Sequence, residues 1–143
     1  MPTIRQIDDR IAVAPQIAPD DMVELAAQGF TAIVNNRPDG EESGQPSDAE
    51  MRSAAQAAGM RYAAIPITHA GFSHPQIDAM VEVLADENRV LAFCRSGTRS
   101  CNLWALASAK AGGDTDAITG KALGAGYDLT GLRPMLDALS GKA

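Results

Sequence analysis

The sequence predicts an α/β domain with a central, mainly parallel β-sheet that carries helices on both faces. Short apolar runs alternate along the chain with helix-compatible segments, an order typical of βαβ units. The length of 143 residues, with 45% hydrophobic and 21% charged residues, suits one globular domain that buries a full core. No internal repeat or linker divides the chain, so we expect a single domain over residues 1–143.

Five apolar runs predict the strands. They cover residues 3–6, 11–14, 30–34, 60–67 and 89–93, and the first two flank a turn at Asp8-Asp9. In parallel sheets, ligands bind beyond the carboxyl ends of the strands. We therefore expect Cys94 and the loops at 35–46 and 68–73 to share one rim of the sheet.

Six segments predict helices. Pro19 opens the first, and Gly29 closes it. Ser47 followed by Glu50 is a capping-box pattern that starts the second. The third is amphipathic, with its apolar residues at helical spacing. The predicted helices cover residues 19–28, 47–59, 74–87, 98–111, 115–123 and 129–139.

The charge balance excludes several classes of function. A net charge of −6 and a pI near 4.7 argue against nucleic acid as a general partner. No apolar run approaches the roughly 20 residues of a membrane span, and the first residues lack the apolar core of a signal peptide. We therefore predict a cytoplasmic protein without a membrane or nucleic-acid partner. Two Cys and two His have no zinc-ligand spacing, so we predict no metal and no cofactor.

The most informative stretch is the loop that follows the last predicted strand. An apolar run ends at Cys94, four residues separate Cys94 from Arg99, and a helix-compatible segment follows. Inward backbone N–H groups and a helix N-terminus would form an anion cradle there. Those groups, with Arg95 and Arg99, favour a thiolate. We predict that Cys94 is a nucleophile that acts on an anionic group.

The other residues of this loop have predicted roles. Arg99 would bind substrate oxygens through its fork of donors, and Gly97 permits a twist that turns its N–H inward. Ser100 is predicted to be catalytic, as a hydrogen-bond donor to the sulfur, although a small polar residue is also ordinary there. Arg95 either faces the substrate or points to solvent. Ser96 and Thr98 complete the predicted substrate-binding loop.

Three further residues are substrate-binding candidates. In the turn at 36–42, Arg37 would add a donor, and Asp39 or Glu41 would handle protons or orient Arg99. The alternative is a solvated turn. His69 lies in the 68–73 loop and could act as an acid or base. Cys101 could be a resolving thiol, but a small helix-packing side chain is the more common role.

Four segments together resemble the DUF442, or beta-lactamase-hydrolase-like, phosphatase family: residues 14–17, 36–41, 94–100 and 126–129. The resemblance implies a cysteine-phosphatase-like fold similar to the dual-specificity phosphatases. The loop at 94–100 also resembles the active-site loop of rhodanese sulfurtransferases. Members of the family are described both as phosphatases and as sulfurtransferases, so the resemblance leaves the chemistry open.

Two departures from the phosphatase pattern favour sulfur transfer. Phosphatases of this type carry five residues between cysteine and arginine, usually after a histidine, whereas this chain has four, after Phe93. They also carry an upstream aspartic acid that protonates the leaving oxygen, but residues 63–77 contain no Asp or Glu. Sulfite leaving thiosulfate needs no such proton.

The sequence therefore predicts a rhodanese-like sulfurtransferase. Sulfane sulfur from thiosulfate or a persulfide would pass through a Cys94 persulfide to a thiol or cyanide acceptor. The alternative is a phosphatase that acts on a phosphoester through a phosphocysteine, with His69 or Asp39 as a stand-in acid. A third reading is a non-catalytic anion-binding or redox-sensing module that uses Cys94 and Cys101.

Overall fold

The strands form one five-stranded sheet in a computed structural model that describes residues 3–86 and 89–141. Their order across the sheet is β1-β2-β5-β3-β4. β1 is antiparallel to β2, and the pairs β2–β5, β5–β3 and β3–β4 are parallel, so the predicted mainly parallel sheet is confirmed. The strands are β1 (Arg5–Gln6), β2 (Ile11–Ala14), β3 (Ala32–Asn35), β4 (Arg61–Ala64) and β5 (Val90–Phe93).

The helices follow the predicted order. They are α1 (Met22–Ala27), α2 (Asp48–Ala57), α3 (His74–Ala85), α4 (Thr98–Lys110), α5 (Thr115–Gly124) and α6 (Arg133–Ser140). Short 3-10 turns at Pro19–Asp21 and Thr130–Leu132 precede α1 and α6. In the part of the chain that the structure describes, no helix is both long and apolar enough to cross a bilayer.

Element boundaries differ from the predictions in a few places. The strand predicted over 60–67 ends at Ala64. Ile65 N and Ile67 N still donate to Asn35 O and Asn36 O, each at 2.9 Å, but these acceptors are consecutive instead of alternate residues, so the regular parallel register is lost. The strand predicted over 3–6 is reduced to Arg5–Gln6. The predicted end of the third helix at Glu87 lies outside the described residues.

Alternating side chains of the strands feed two separate cores, as expected for a sheet covered on both faces. On β5, Val90 and Ala92 join the cluster under α3 to α6, whereas Leu91 and Phe93 join the cluster under α1 and α2. All four are fully buried. Helices on both faces are therefore confirmed, and β5 is a fully enclosed central strand.

The carboxyl ends of the strands are connected by backbone hydrogen bonds. Asn36 N donates to Phe93 O at 2.9 Å, and Ile67 N donates to Asn36 O at 2.9 Å. These bonds bring the segments after β3 and β4 beside the end of β5. The rim predicted from the strand order therefore exists, and Cys94 lies at its centre.

The cap of α2 supplies a test of the fold. Ser47 Oγ accepts a hydrogen bond from Glu50 N at 3.1 Å. We expect Ser47→Ala to lower the free energy of unfolding by about 1 kcal/mol, measured by urea denaturation. Ser53→Ala, at an exposed position inside the same helix, should leave it unchanged or slightly raised. Equal losses in both variants would contradict the capping role.

Candidate active site

Cys94 lies where the central strand passes into the longest described helix. Its backbone N–H donates to Ala14 O on the neighbouring strand at 3.3 Å. Its Sγ accepts a hydrogen bond from Gly97 N at 3.1 Å, and the residue is 0% exposed. The sulfur therefore lies at the base of the loop, close to the N-terminus of α4, where a helix favours negative charge.

Gly97 is required by the shape of this loop. It caps α4 in the left-handed conformation, with φ +88°, a region that side chains other than glycine rarely adopt. A Cβ at this position would also clash with the Tyr127 hydroxyl. That hydroxyl donates to Ser96 O at 3.3 Å. Tyr127, in the connection that follows α5, therefore supports the loop. The sequence alone did not indicate this role.

Arg99 is held on one side by a carboxylate. Its Nη1 and Nη2 donate to Glu41 Oε2 and Oε1, each at 2.8 Å, and Nη1 also donates to Ile67 O at 2.7 Å. The hydrogen bonds that Arg99 donates to Glu41, together with the charge of Cys94, raise the pKa of Arg99 although burial opposes the shift. Of the two acids considered for orienting Arg99, Glu41 is the one that does so.

Glu41 is itself held between two arginines. Arg37 Nε donates to Glu41 Oε1 at 2.8 Å, and the Arg37 side chain is only 3% exposed. Hydrogen bonds from Arg99 and then Arg37 lower the pKa of Glu41 to about 2, against the opposing effect of burial. Glu41 is therefore ionised across the neutral range and is not a proton donor there.

Arg37 acts as a support for the 36–42 turn in this structure. Its Nη2 donates to Glu42 Oε2 at 2.7 Å, and its Nη1 donates to Gln16 Oε1 at 3.0 Å. Burial alone would lower the pKa of Arg37, but the hydrogen bonds to Glu41 and Glu42 raise it overall. Three of the five N–H groups of Arg37 are thus directed to protein oxygens, and its role as a donor for substrate stays a prediction.

Arg95 completes an alternating row of charges. Its Nε lies 3.6 Å from Glu42 Oε2, and its side chain is largely exposed. The row runs from the loop cysteine outward: Cys94, Arg99, Glu41, Arg37, Glu42, Arg95. Arg95 is thus at the solvent end, where its exposed guanidinium remains a candidate for binding a substrate.

Ser100 has a different partner from the predicted one. Its Oγ donates to Asn36 Oδ1 at 2.8 Å, while Asn36 Nδ2 donates to Ile65 O at 2.9 Å. The single hydroxyl hydrogen is therefore directed to Asn36 and not to the Cys94 sulfur. This buried pair fixes the start of α4 against the ends of β3 and β4. A catalytic role for Ser100 stays a prediction, and Asn36 is a residue whose role the sequence did not reveal.

The remaining candidates lie around the rim. Asp39 Oδ1 accepts a hydrogen bond from Asp48 N at 2.7 Å, so it caps α2 and does not contact Arg99. His69 is exposed in a turn closed by Gly71 N and Thr68 O at 3.1 Å. His69 lies two residues after Ile67, whose carbonyl oxygen accepts a hydrogen bond from Arg99. The Ser96 and Thr98 hydroxyls hydrogen-bond to each other at 3.1 Å on the exposed side of the loop.

Cys101 is a buried thiol behind the loop. Burial, followed by the charge of Cys94, raises its pKa to about 12, so it stays protonated and is a poor partner for thiol exchange. This environment favours the packing role over the resolving role. Within residues 3–86 and 89–141, no three His, Cys, Asp or Glu side chains group in a way that could hold a metal ion.

Cys94 lies beside Arg99 at the junction of the central parallel strand and a helix, as in cysteine-phosphatase-like folds. Solved structures agree with this fold class. A candidate phosphatase from Neisseria meningitidis matches with a TM-score of 0.79 and 31% identity over 95% of this chain and 97% of its own. TpbA of P. aeruginosa, solved with pTyr, matches with a TM-score of 0.63 and 13% identity over 96% of this chain and 87% of its own.

Residues 3–111 match the family described as "Beta-lactamase hydrolase-like protein, phosphatase-like domain", and the chain belongs to that family. The Beta-lactamase hydrolase-like protein of Agrobacterium fabrum is 42% identical over 105 residues, which is 73% of this chain. The matched part is 24% of that relative, so the chain aligns with about a quarter of its length. The family resemblance and the fold predicted from the sequence are thereby confirmed.

The shape of the loop predicts the cost of a side chain at Gly97. We expect Gly97→Ala to lower the free energy of unfolding by at least about 1–2 kcal/mol, because of its positive φ, and Tyr127→Phe in the same chain to recover part of this loss. Gly120→Ala, inside α5 with no atom near its Cβ, should be neutral or stabilising. Urea denaturation measures all of these. An unchanged Gly97→Ala variant would contradict the required left-handed conformation.

The low pKa of Glu41 predicts a pH dependence of stability. The ionised carboxylate is favoured in the folded state, so its contribution is complete above about pH 4.5 and is lost as the pH falls towards about 2. We expect Glu41→Gln to be less stable than the wild type by about 1–3 kcal/mol at neutral pH. That difference should shrink between pH 4.5 and 2. Urea denaturation across this range measures it, and Glu24→Gln on the exposed face of α1 is the matched control.

Proposed function

We propose that this chain is a cysteine-dependent phosphatase that acts on a small phosphoester or a phosphotyrosine through a phosphocysteine at Cys94. The observation that carries the proposal is the position of the sulfur. It accepts a hydrogen bond from Gly97 N at 3.1 Å, at the start of α4 and beside Arg99. The phosphatase-like fold of its relatives supports the same chemistry.

The site supplies what phosphoryl transfer needs from a protein. The transferred group carries negative charge on its oxygens, so catalysis depends on positioning and electrostatic stabilisation. The hydrogen bonds of Arg99 to Glu41 and Ile67 use three of its five N–H groups, which leaves Nε–H and one Nη2–H for substrate oxygens. The N-terminus of α4 adds its partial positive charge. The Cys94 sulfur attacks phosphorus, the P–O bond to the leaving group breaks with its electron pair on that oxygen, and water then cleaves the S–P bond.

A second candidate function is sulfur transfer, as the sequence analysis predicted. It is favoured by the four-residue spacing between Cys94 and Arg99, which gives a narrower loop than the phosphatase pattern. The Cys94 sulfur would attack the outer sulfur of thiosulfate, and sulfite would leave with the electrons of the broken S–S bond. A thiol or cyanide acceptor would then take the sulfur from the Cys94 persulfide. The relatives support the phosphatase more directly.

Intact-protein mass spectrometry separates the two functions. After a rapid quench with an aryl phosphate, we expect the mass of one phosphoryl group on the wild type and none on Cys94→Ser. Steady-state hydrolysis should fall by at least about 1,000-fold in Cys94→Ser, since the nucleophile itself is lost. Cys101→Ser is the matched control and should retain hydrolysis, because Cys101 is buried behind the loop.

The same measurement after incubation with thiosulfate tests the second candidate. A gain of one sulfur atom that requires Cys94, without hydrolysis of any aryl phosphate, would replace the proposed function with sulfur transfer. Neither adduct on the wild type would leave an anion-binding or redox module as the function.

A further inference from the structure

We propose that the Cys94 site takes substrates whose leaving group departs as a stable anion without receiving a proton from the enzyme, such as aryl or acyl phosphates with acidic leaving groups. The inference rests on the proposed phosphatase function and names its substrate class. It follows from the contacts of the three carboxyl groups in the 36–42 turn, which Arg99 joins to the Cys94 loop.

Glu41 is joined to the Cys94 loop through its hydrogen bonds with Arg99, and its contacts hold it in the ionised form. Both of its oxygens are hydrogen-bonded to Arg99 at 2.8 Å, and Oε1 also accepts from Arg37 at 2.8 Å. Protonation would remove charge from the centre of this row and leave two guanidiniums facing each other. The low pKa of Glu41, about 2, agrees with this geometry.

The other two acids of the same turn are also committed to structural contacts. Glu42 Oε2 accepts from Arg37 at 2.7 Å and lies 3.6 Å from Arg95 Nε. Asp39 Oδ1 accepts from Asp48 N at 2.7 Å and so faces α2. On the opposite side of the rim, residues 63–77 contain no Asp or Glu. Among the described residues, therefore, neither the 36–42 turn nor residues 63–77 offers a carboxyl group free of such contacts to protonate a leaving oxygen.

The chemical step then balances without an enzyme proton. The Cys94 thiolate forms an S–P bond while the P–O bond of the substrate breaks, and the electron pair of that bond stays on the leaving oxygen. The product is a phenoxide or carboxylate that takes its proton, if any, from solvent. Water then attacks phosphorus, the S–P bond breaks, and phosphate, a proton and the thiolate are released.

Glu41 has a positioning role in this scheme. It fixes the Nη edge of Arg99 and touches neither the substrate nor the sulfur, so its effect should be the same for every leaving group. A proton donor behaves differently, because its loss is largest for the poorest leaving group and vanishes for the best one. The two roles are therefore distinguishable by one series of substrates.

The test is kcat/KM for a series of aryl phosphates with increasing phenol pKa, together with one alkyl phosphate. This parameter covers the steps up to P–O cleavage, so slow hydrolysis of the phosphocysteine does not mask the result. We expect a continuous, steep fall along the series. The alkyl phosphate should be at least about 100-fold slower than the best aryl phosphate, since a proton donor contributes about 10²–10⁴-fold. A nearly flat series in an active enzyme would overturn the inference but leave the phosphatase standing.

Variants identify the residue responsible if a donor exists. We expect Glu41→Gln to lower kcat/KM by one common factor along the series, and to have no further effect in an Arg99→Ala chain. The Glu24→Gln control on α1 should match the wild type. A loss that grows with leaving-group pKa in Glu41→Gln, or in His69→Ala at the exposed turn, would assign a proton donor and overturn the inference. No Cys94-dependent hydrolysis of the best aryl phosphate would instead remove the proposed function itself.

Discussion

The ionised carboxylate of Glu41 between Arg99 and Arg37 is the contact on which the site depends. Arg37 is 3% exposed, and a guanidinium buried to this extent is strongly destabilising unless it is paired. Glu41 and Glu42 accept hydrogen bonds from Arg37. The same Glu41 carboxylate also binds Arg99 and thereby holds its side chain in place. The direction of Arg99 towards the Cys94 loop is therefore set by a buried arginine that belongs to a different segment, the turn after β3.

The sequence was sufficient for the sheet, the helices and the position of Cys94, because these follow from apolar runs, capping residues and strand order. The hydrogen-bond partners of the polar side chains at the rim could not be predicted in the same way. Ser100 donates to Asn36 and not to sulfur, and Arg37 donates to Glu41, Glu42 and Gln16. Both outcomes depend on which polar atoms meet across 64 residues or within a buried cluster, and no local spacing encodes that choice.

The loop also depends on a residue outside the part of the chain that matches the family. The match ends at residue 111, yet the Tyr127 hydroxyl donates to Ser96 O at 3.3 Å and fills the space that a side chain at Gly97 would need. The left-handed turn at Gly97 and the Tyr127 hydroxyl are therefore one unit. The segment between α5 and the 3-10 turn at Thr130–Leu132 thus contributes to the shape of the Cys94 loop through Tyr127.

The arrangement of charges at the site is compatible with an anionic substrate, although the protein as a whole is acidic. When the Cys94 sulfur is ionised, it and the two carboxylates of Glu41 and Glu42 balance the three guanidiniums of the row. In the proposed phosphatase, attraction of a phosphoester then comes from directed donors at short range and not from an excess of positive charge. During the proposed attack, negative charge moves from sulfur to the leaving group, while the carboxylates stay ionised between their arginines. A leaving group that holds this charge by itself completes the reaction without disturbing the ion pairs that orient Arg99.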